Sequence, residues 1–112
     1  MNIDSLKAFG ANTDEGLARC MNDESLYLRV VGMTLEDGNF EKLKAAMDAG
    51  DAAAAFSAVH ALKGTAGNVS LTPVYEPLCE LTEMLRAKKL PVDGAQELLD
   101  RILALREEAR SL

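Results

Sequence analysis

Residues 59–68 read VHALKGTAGN and hold the one histidine of the chain, His60. Lys63 follows three positions later, then Gly64 and Gly67. A water-exposed imidazole is nucleophilic in its neutral form and accepts phosphoryl groups. A lysine one helical turn along the same face would sit beside the negative charge that such a transfer leaves on the ring. Glycine inside a helix costs about 0.5–1 kcal/mol relative to alanine. Two glycines next to a histidine therefore need a reason, and room for a phosphoryl group and a docking protein is one. Other readings stand beside it. Gly64 would also let another helix approach closely. Gly67 would also mark the last turn of a helix, and Lys63 would serve equally as a solvated helix lysine.

Helical periodicity places this face. With His60 at zero, Ala52, Ala55, Val59, Leu62, Ala66 and Val69 fall in an arc of roughly 180° to 280°. That apolar arc is the expected core side, and its centre lies about 130° from His60, so the ring is expected to face water. Around the ring fall Ala53, Phe56, Ser57, Lys63, Gly64 and Gly67. An ordinary solvated face would carry Glu, Lys, Gln and Arg instead. Ala53, Phe56, Ser57 and Gly67 are therefore candidates for a partner-binding surface, with Phe56 also placed to turn into the core. General-base catalysis by His60 would need a nucleophile and an orienting acid in a pocket. This face offers Ser57 three residues earlier and no acid.

Composition narrows the classes. The chain has 112 residues, 48% of them hydrophobic, which suits one folded domain rather than a disordered segment. Twelve basic against eighteen acidic residues give a net charge of −6. With no basic run, nucleic-acid binding is not expected. Cys20 and Cys79 are far apart and lack the companions of a metal site, so no metal and no cofactor are expected. Two free thiols are the simple reading, with a disulfide as the other. No stretch reaches the ~18 apolar residues of a membrane span and none resembles a signal peptide, so a cytoplasmic protein is expected.

The elements that must position His60 read as helices. Asn2 or Asp4 caps a short helix stopped by Gly10, and Thr13 caps DEGLARC. Asp23 opens a helix with Leu28, Val31 and Leu35 on one face. Phe40, Leu43 and Met47 form the stripe of the next, which ends at Gly50. Asp51 caps the Ala-rich helix that carries His60. Thr72 as cap with Pro73 at the first helical position starts another helix. Pro77 requires either an irregular first turn or a start nearer Pro77. The stripe Val74, Leu78, Leu81 and Leu85 follows, and Asp93 caps a last helix with Leu98, Ile102 and Leu105 inward. Strand signals are missing. The expected fold is all-α, an up-and-down antiparallel four-helix bundle. Residues 1–112 would form one domain, with short N-terminal helices in 1–22 and the bundle in 23–110. The longest segments are about 23–36, 39–49 with 51–69 as neighbours, 73–88 and 93–110.

The stretch HALKG, within AVHALKGTAGNVSL, resembles the signature of histidine-containing phosphotransfer (HPt) domains, in which His is followed by Lys and Gly at the third and fourth positions after it. The Asp-capped Ala-rich lead-in and the helix opening TPVYEPLCELTEML are similar to that family's hairpin. The likeness covers about 23–110 and is strongest at 59–71. It implies a monomeric phosphocarrier without a kinase or ATP-binding domain. His60 would be phosphorylated by a receiver-domain aspartate and would pass the group to another receiver. Lys63 would be the charge partner and Gly64 the space-making residue. The partners implied are receiver domains of response regulators and of hybrid sensor kinases, which supply the acidic pocket and Mg²⁺. The alternative is a helical interaction module that binds a receiver or kinase without carrying phosphate. One position departs from the pattern. Many family members have glycine ten residues after the histidine, where this chain has Ser70, which puts the backbone of that turn and the end of the helix in question.

Overall fold

The computed structural model describes residues 1–87 and 89–112. Among them the chain forms seven helices: α1 (Ile3–Phe9), α2 (Thr13–Arg19), α3 (Glu24–Leu35), α4 (Asn39–Ala49), α5 (Ala52–Asn68), α6 (Thr72–Leu85) and α7 (Ala95–Arg110). There is no strand among the described residues. α4, α5, α6 and α7 pack side by side in chain order, α7 returns to α4, and α3 lies against α7. The short connections make neighbours run antiparallel. The fold is a helical bundle, preceded by the short pair α1–α2.

Local chemistry explains most boundaries. Asn2 and Ser5 form a capping box on α1, and Gly10 stops that helix in the left-handed region at φ 112°. Asp23 and Asp51 accept from the amides of Leu26 and Ala54 and so cap α3 and α5. Gly50 ends α4 at φ 70°.

Three caps differ from expectation. Asn12, not Thr13, caps α2, with its side-chain oxygen on Glu15 N, and Thr13 is instead buried. α6 starts at Thr72 with Leu71 as its cap, so Pro73 is the second helical residue and Pro77 lies inside the helix. The Leu71 carbonyl accepts from both Val74 and Tyr75, which starts the helix upstream of Pro77. Pro77 is buried, so packing offsets the backbone bond it cannot make. Gly94, not Asp93, precedes α7. α6 ends at Leu85 with Arg86 at its C-cap, earlier than the end expected at 88, a residue that itself lies outside the described ones.

The core gathers Leu6, Val31, Leu35, Phe40, Leu43, Val59, Leu62, Leu78, Leu81, Leu85, Leu99 and Ile102, all nearly inaccessible. Tyr27 and Arg106 are among the buried side chains outside the expected stripes. Tyr27, rather than Leu28, is the fully buried member of α3's first turn, and its hydroxyl donates to the Val69 carbonyl at 2.9 Å. Arg106, one position past the half-buried Leu105, is buried in α7. It donates to the Leu35 carbonyl at 2.7 Å, pairs with Glu41 at 3.0 Å and lies 4.4 Å over the Phe40 ring. A buried guanidinium is tolerable when paired and hydrogen-bonded in this way.

Candidate functional site

The apolar arc of α5 faces inward: Ala52, Ala55, Val59, Leu62 and Ala66 are buried, joined by Ala58. That packing leaves His60 exposed on the opposite side. Phe56, one turn earlier, is half-buried, and its ring centroid is 5.8 Å from that of His60 at a 36° tilt. The Arg86 guanidinium lies 5.8 Å from the Phe56 ring centroid, so α6 borders the histidine on this side. Arg86 in turn grips Glu83 through two bonds of 2.9 and 2.8 Å. The hydrogen bond from Arg86 holds the Glu83 carboxyl below its ordinary pKa, against an opposing effect of desolvation, with the charges of Arg86 and Lys63 acting in the same direction as the bond. Glu83 thus sits in the field of both cations on the His60 side of the bundle. No carboxylate is bonded to the imidazole among the described residues. Among the described residues no group of His, Cys, Asp and Glu could hold a metal ion, and Cys20 and Cys79 are both free.

The two glycines divide. A side chain at Gly64 would meet nothing within 4 Å, and the residue is exposed. The ring of Tyr75 already fills the space beside Gly67, and a Cβ there would lie 2.9 Å from Tyr75 Cε1. Gly67 therefore admits a neighbouring side chain from α6, and a Cβ there would crowd the Tyr75 ring and not enter open space as at Gly64. Lys63 is half-buried and lines, with Gly64 and Gly67, a cleft of about 480 Å³ between α5, α6 and α2. Ser57 faces elsewhere, lining a shallow groove between α5 and α4, and Ala53 is exposed nearly two turns before His60.

Beyond Gly67, α5 ends in a Schellman motif. Leu71 N donates to Ala66 O at 3.1 Å and Ser70 N to Gly67 O at 3.1 Å. Ser70 occupies the left-handed position at φ 55°. The conformation that favours glycine is thus kept with a serine in it. The hydroxyl of Ser70 donates to Glu15 at 2.7 Å, and Asn12 N donates to the Ser70 carbonyl at 3.0 Å. Arg19 donates to the Gly67 carbonyl and pairs with Glu15 at 3.1 Å. Tyr27 of α3 and Asn12 therefore satisfy the carbonyls of Val69 and Ser70, groups a helix end leaves unpaired, and Arg19 adds a side-chain donor to the Gly67 carbonyl that already accepts from Ser70 N. Sequence periodicity could not find Glu83, Arg86, Arg19 or Glu15 beside this face. The i, i+3 and i, i+4 spacing of the pairs Glu83–Arg86 and Glu15–Arg19 was the one signal available.

The sequence matches the Hpt domain family over residues 33–111. No curated protein and no solved structure matches the chain. No helix among the described residues is long and apolar enough to cross a membrane. The family match spans α4 to α7 and the helix face on which His60 is exposed. The chain accordingly belongs to the Hpt domain family, whose members act in histidine phosphotransfer within phosphorelays, as phosphocarriers and not as kinases.

Proposed function

We propose that this protein is a phosphorelay intermediate that accepts a phosphoryl group on His60 from the aspartyl phosphate of one receiver domain and passes it to the aspartate of another. The observation that carries the reading is the exposed His60 ring with open space at Gly64 one turn along the same helix. A ring nitrogen of neutral His60 attacks phosphorus, an N–P bond forms, and the P–O bond to the aspartate breaks. The carboxylate leaves with the electron pair, and the imidazolium gives up its other ring proton to water. The reverse steps load the second receiver. Lys63 stands as the ammonium beside the phosphoryl oxygens. Gly64 leaves the volume that those oxygens and the receiver occupy. Phe56 and the exposed Ala53 belong to the docking surface, as does Gly67 through the Tyr75 ring it seats, while Ser57 lies at its margin. The receiver brings the acidic pocket and Mg²⁺, so this chain contributes a nucleophile and a shape. The protein acts as a monomer in the cytoplasm.

The test is a three-component transfer. One phosphorylated receiver domain is mixed with the protein and a second, unphosphorylated receiver. The label is expected to reach the second receiver only through the chain, and a His60→Gln variant is expected to block it. Receiver binding without any transfer, by the wild-type protein, would favour an interaction module instead.

A further inference from the structure

The family match begins at residue 33, yet α2 lies against the end of α5. Its Arg19 and Glu15 form one wall of the cleft of about 480 Å³. Lys63 and Gly64 form the wall nearest His60, and Tyr75 and Glu76 of α6 close the far side. We propose that α2 extends the receiver-docking surface of this protein and that Arg19 is a specificity-determining residue, reaching a carboxylate at the rim of the receiver's acidic pocket. The inference rests on the reading of His60 as the phosphoryl carrier.

Three features of the site support it. The cleft is continuous with the phosphoryl face, because the same Lys63 and Gly64 line both. A receiver seated over His60 therefore covers the α2 wall as well. That wall is fixed in place. Asn12 N, the Ser70 hydroxyl on Glu15 and the Arg19 bond to the Gly67 carbonyl tie it to the last turn of α5. A surface that is already ordered binds without an ordering cost. Charge decides the partner's chemistry. Glu15 is engaged by Arg19 and Ser70 together, while the Arg19 side chain remains 49% exposed. A guanidinium has five N–H donors, and the bonds to Gly67 and Glu15 do not use all of them on a side chain that lines the cleft. Among the described residues Arg19 and Lys63 are the two cations that line it, with Glu15 already engaged and Glu76 on the far wall, in a protein of net charge −6. A carboxylate is the group that a guanidinium fork and a nearby ammonium select.

The experiment uses the full chain and a panel of phosphorylated receiver domains from the source organism, taking the fastest donor to the wild type. Arg19→Glu is expected to raise KM for that receiver at least about fivefold, with the maximal rate within about twofold of wild type. Arg19→Lys keeps the charge without the fork and is expected to raise KM only about twofold to threefold, less than Arg19→Glu does. Labelling of His60 by phosphoramidate, a small donor that needs no docking surface, is expected to be unchanged in both. An unchanged KM for Arg19→Glu overturns the inference. Equal impairment of Arg19→Lys, or loss of phosphoramidate labelling, also overturns it, since Arg19 would then act through the shape of α5. If Arg19→Glu does not fold, Glu76→Lys on the opposite wall carries the test. It is expected to lower KM at least about threefold, and an unchanged or raised KM is the contrary result. A wild-type protein labelled by phosphoramidate but by no receiver refutes the phosphorelay reading itself, an outcome distinct from any behaviour of the α2 variants.

Discussion

Replacing Gly64 by alanine is expected to stabilise the protein while slowing phosphoryl transfer. Gly64 lies inside α5, four residues before its end, where the helical backbone needs no glycine. A Cβ at this position meets nothing within 4 Å, so no clash offsets the gain in helix propensity. That gain is about 0.5–1 kcal/mol, which for a chain of this size raises Tm by roughly 2–5 °C. The same methyl group enters the volume assigned to the phosphoryl oxygens and the receiver. Transfer from a phosphorylated receiver is expected to slow at least tenfold, which corresponds to about 1.4 kcal/mol on the barrier. Gly67→Ala is the internal control. Its Cβ would lie 2.9 Å from the Tyr75 ring, so the ring must move and the propensity gain is offset. It should melt below Gly64→Ala. Thermal denaturation and a single-turnover transfer assay on both variants are sufficient. A Gly64→Ala protein that is more stable and transfers at the wild-type rate would refute the reasoning, because the glycine would then have no part in the transfer.

Ser70 and Glu15 give a second stability test. Ser70→Ala keeps the left-handed backbone and loses the bond to Glu15, and should cost about 1 kcal/mol by denaturant titration. Ser70→Gly loses the same bond but relieves a strain of about 1–2 kcal/mol, and should be the more stable of the two. Lys63→Ala is expected to slow transfer about five- to tenfold and to shorten the lifetime of the phosphorylated form, with stability changed by less than about 0.5 kcal/mol. The bond from Arg106 holds the Glu41 carboxyl below its ordinary value of 4.5. A depressed carboxylate stabilises the fold above its unfolded pKa and loses that contribution as pH falls through the folded one. Glu41→Gln should therefore flatten the loss of stability below pH 4.5, with a small amplitude because Glu41 is largely exposed.

The outward face of α5 was legible because it depends on one helix. The alternation of Ala55, Val59, Leu62 and Ala66 with His60 and Gly64 follows from 3.6 residues per turn alone. The caps Asp23 and Asp51 and the stops Gly10 and Gly50 were equally local. What periodicity could not supply lies between elements. Arg106 is buried because it reaches the Leu35 carbonyl, 71 residues away in sequence. Ser70 holds a glycine's conformation with Glu15, 55 residues away, bonded to its hydroxyl. Gly67 looked like a space-making twin of Gly64 until α6 placed Tyr75 against it. Thr13 and Thr72 are good capping residues, but the neighbouring Asn12 caps α2 and Leu71 occupies the cap position of α6.

The most direct test is to locate the phosphate. The protein is incubated with a phosphorylated receiver domain, and the product is divided between acid and alkali before peptide mapping. A phosphoryl group on His60 predicts a label that is lost in acid, survives in base, maps to the peptide containing HALKG and is absent from His60→Gln. A label of normal yield on His60→Gln, or one that survives acid, would contradict the account.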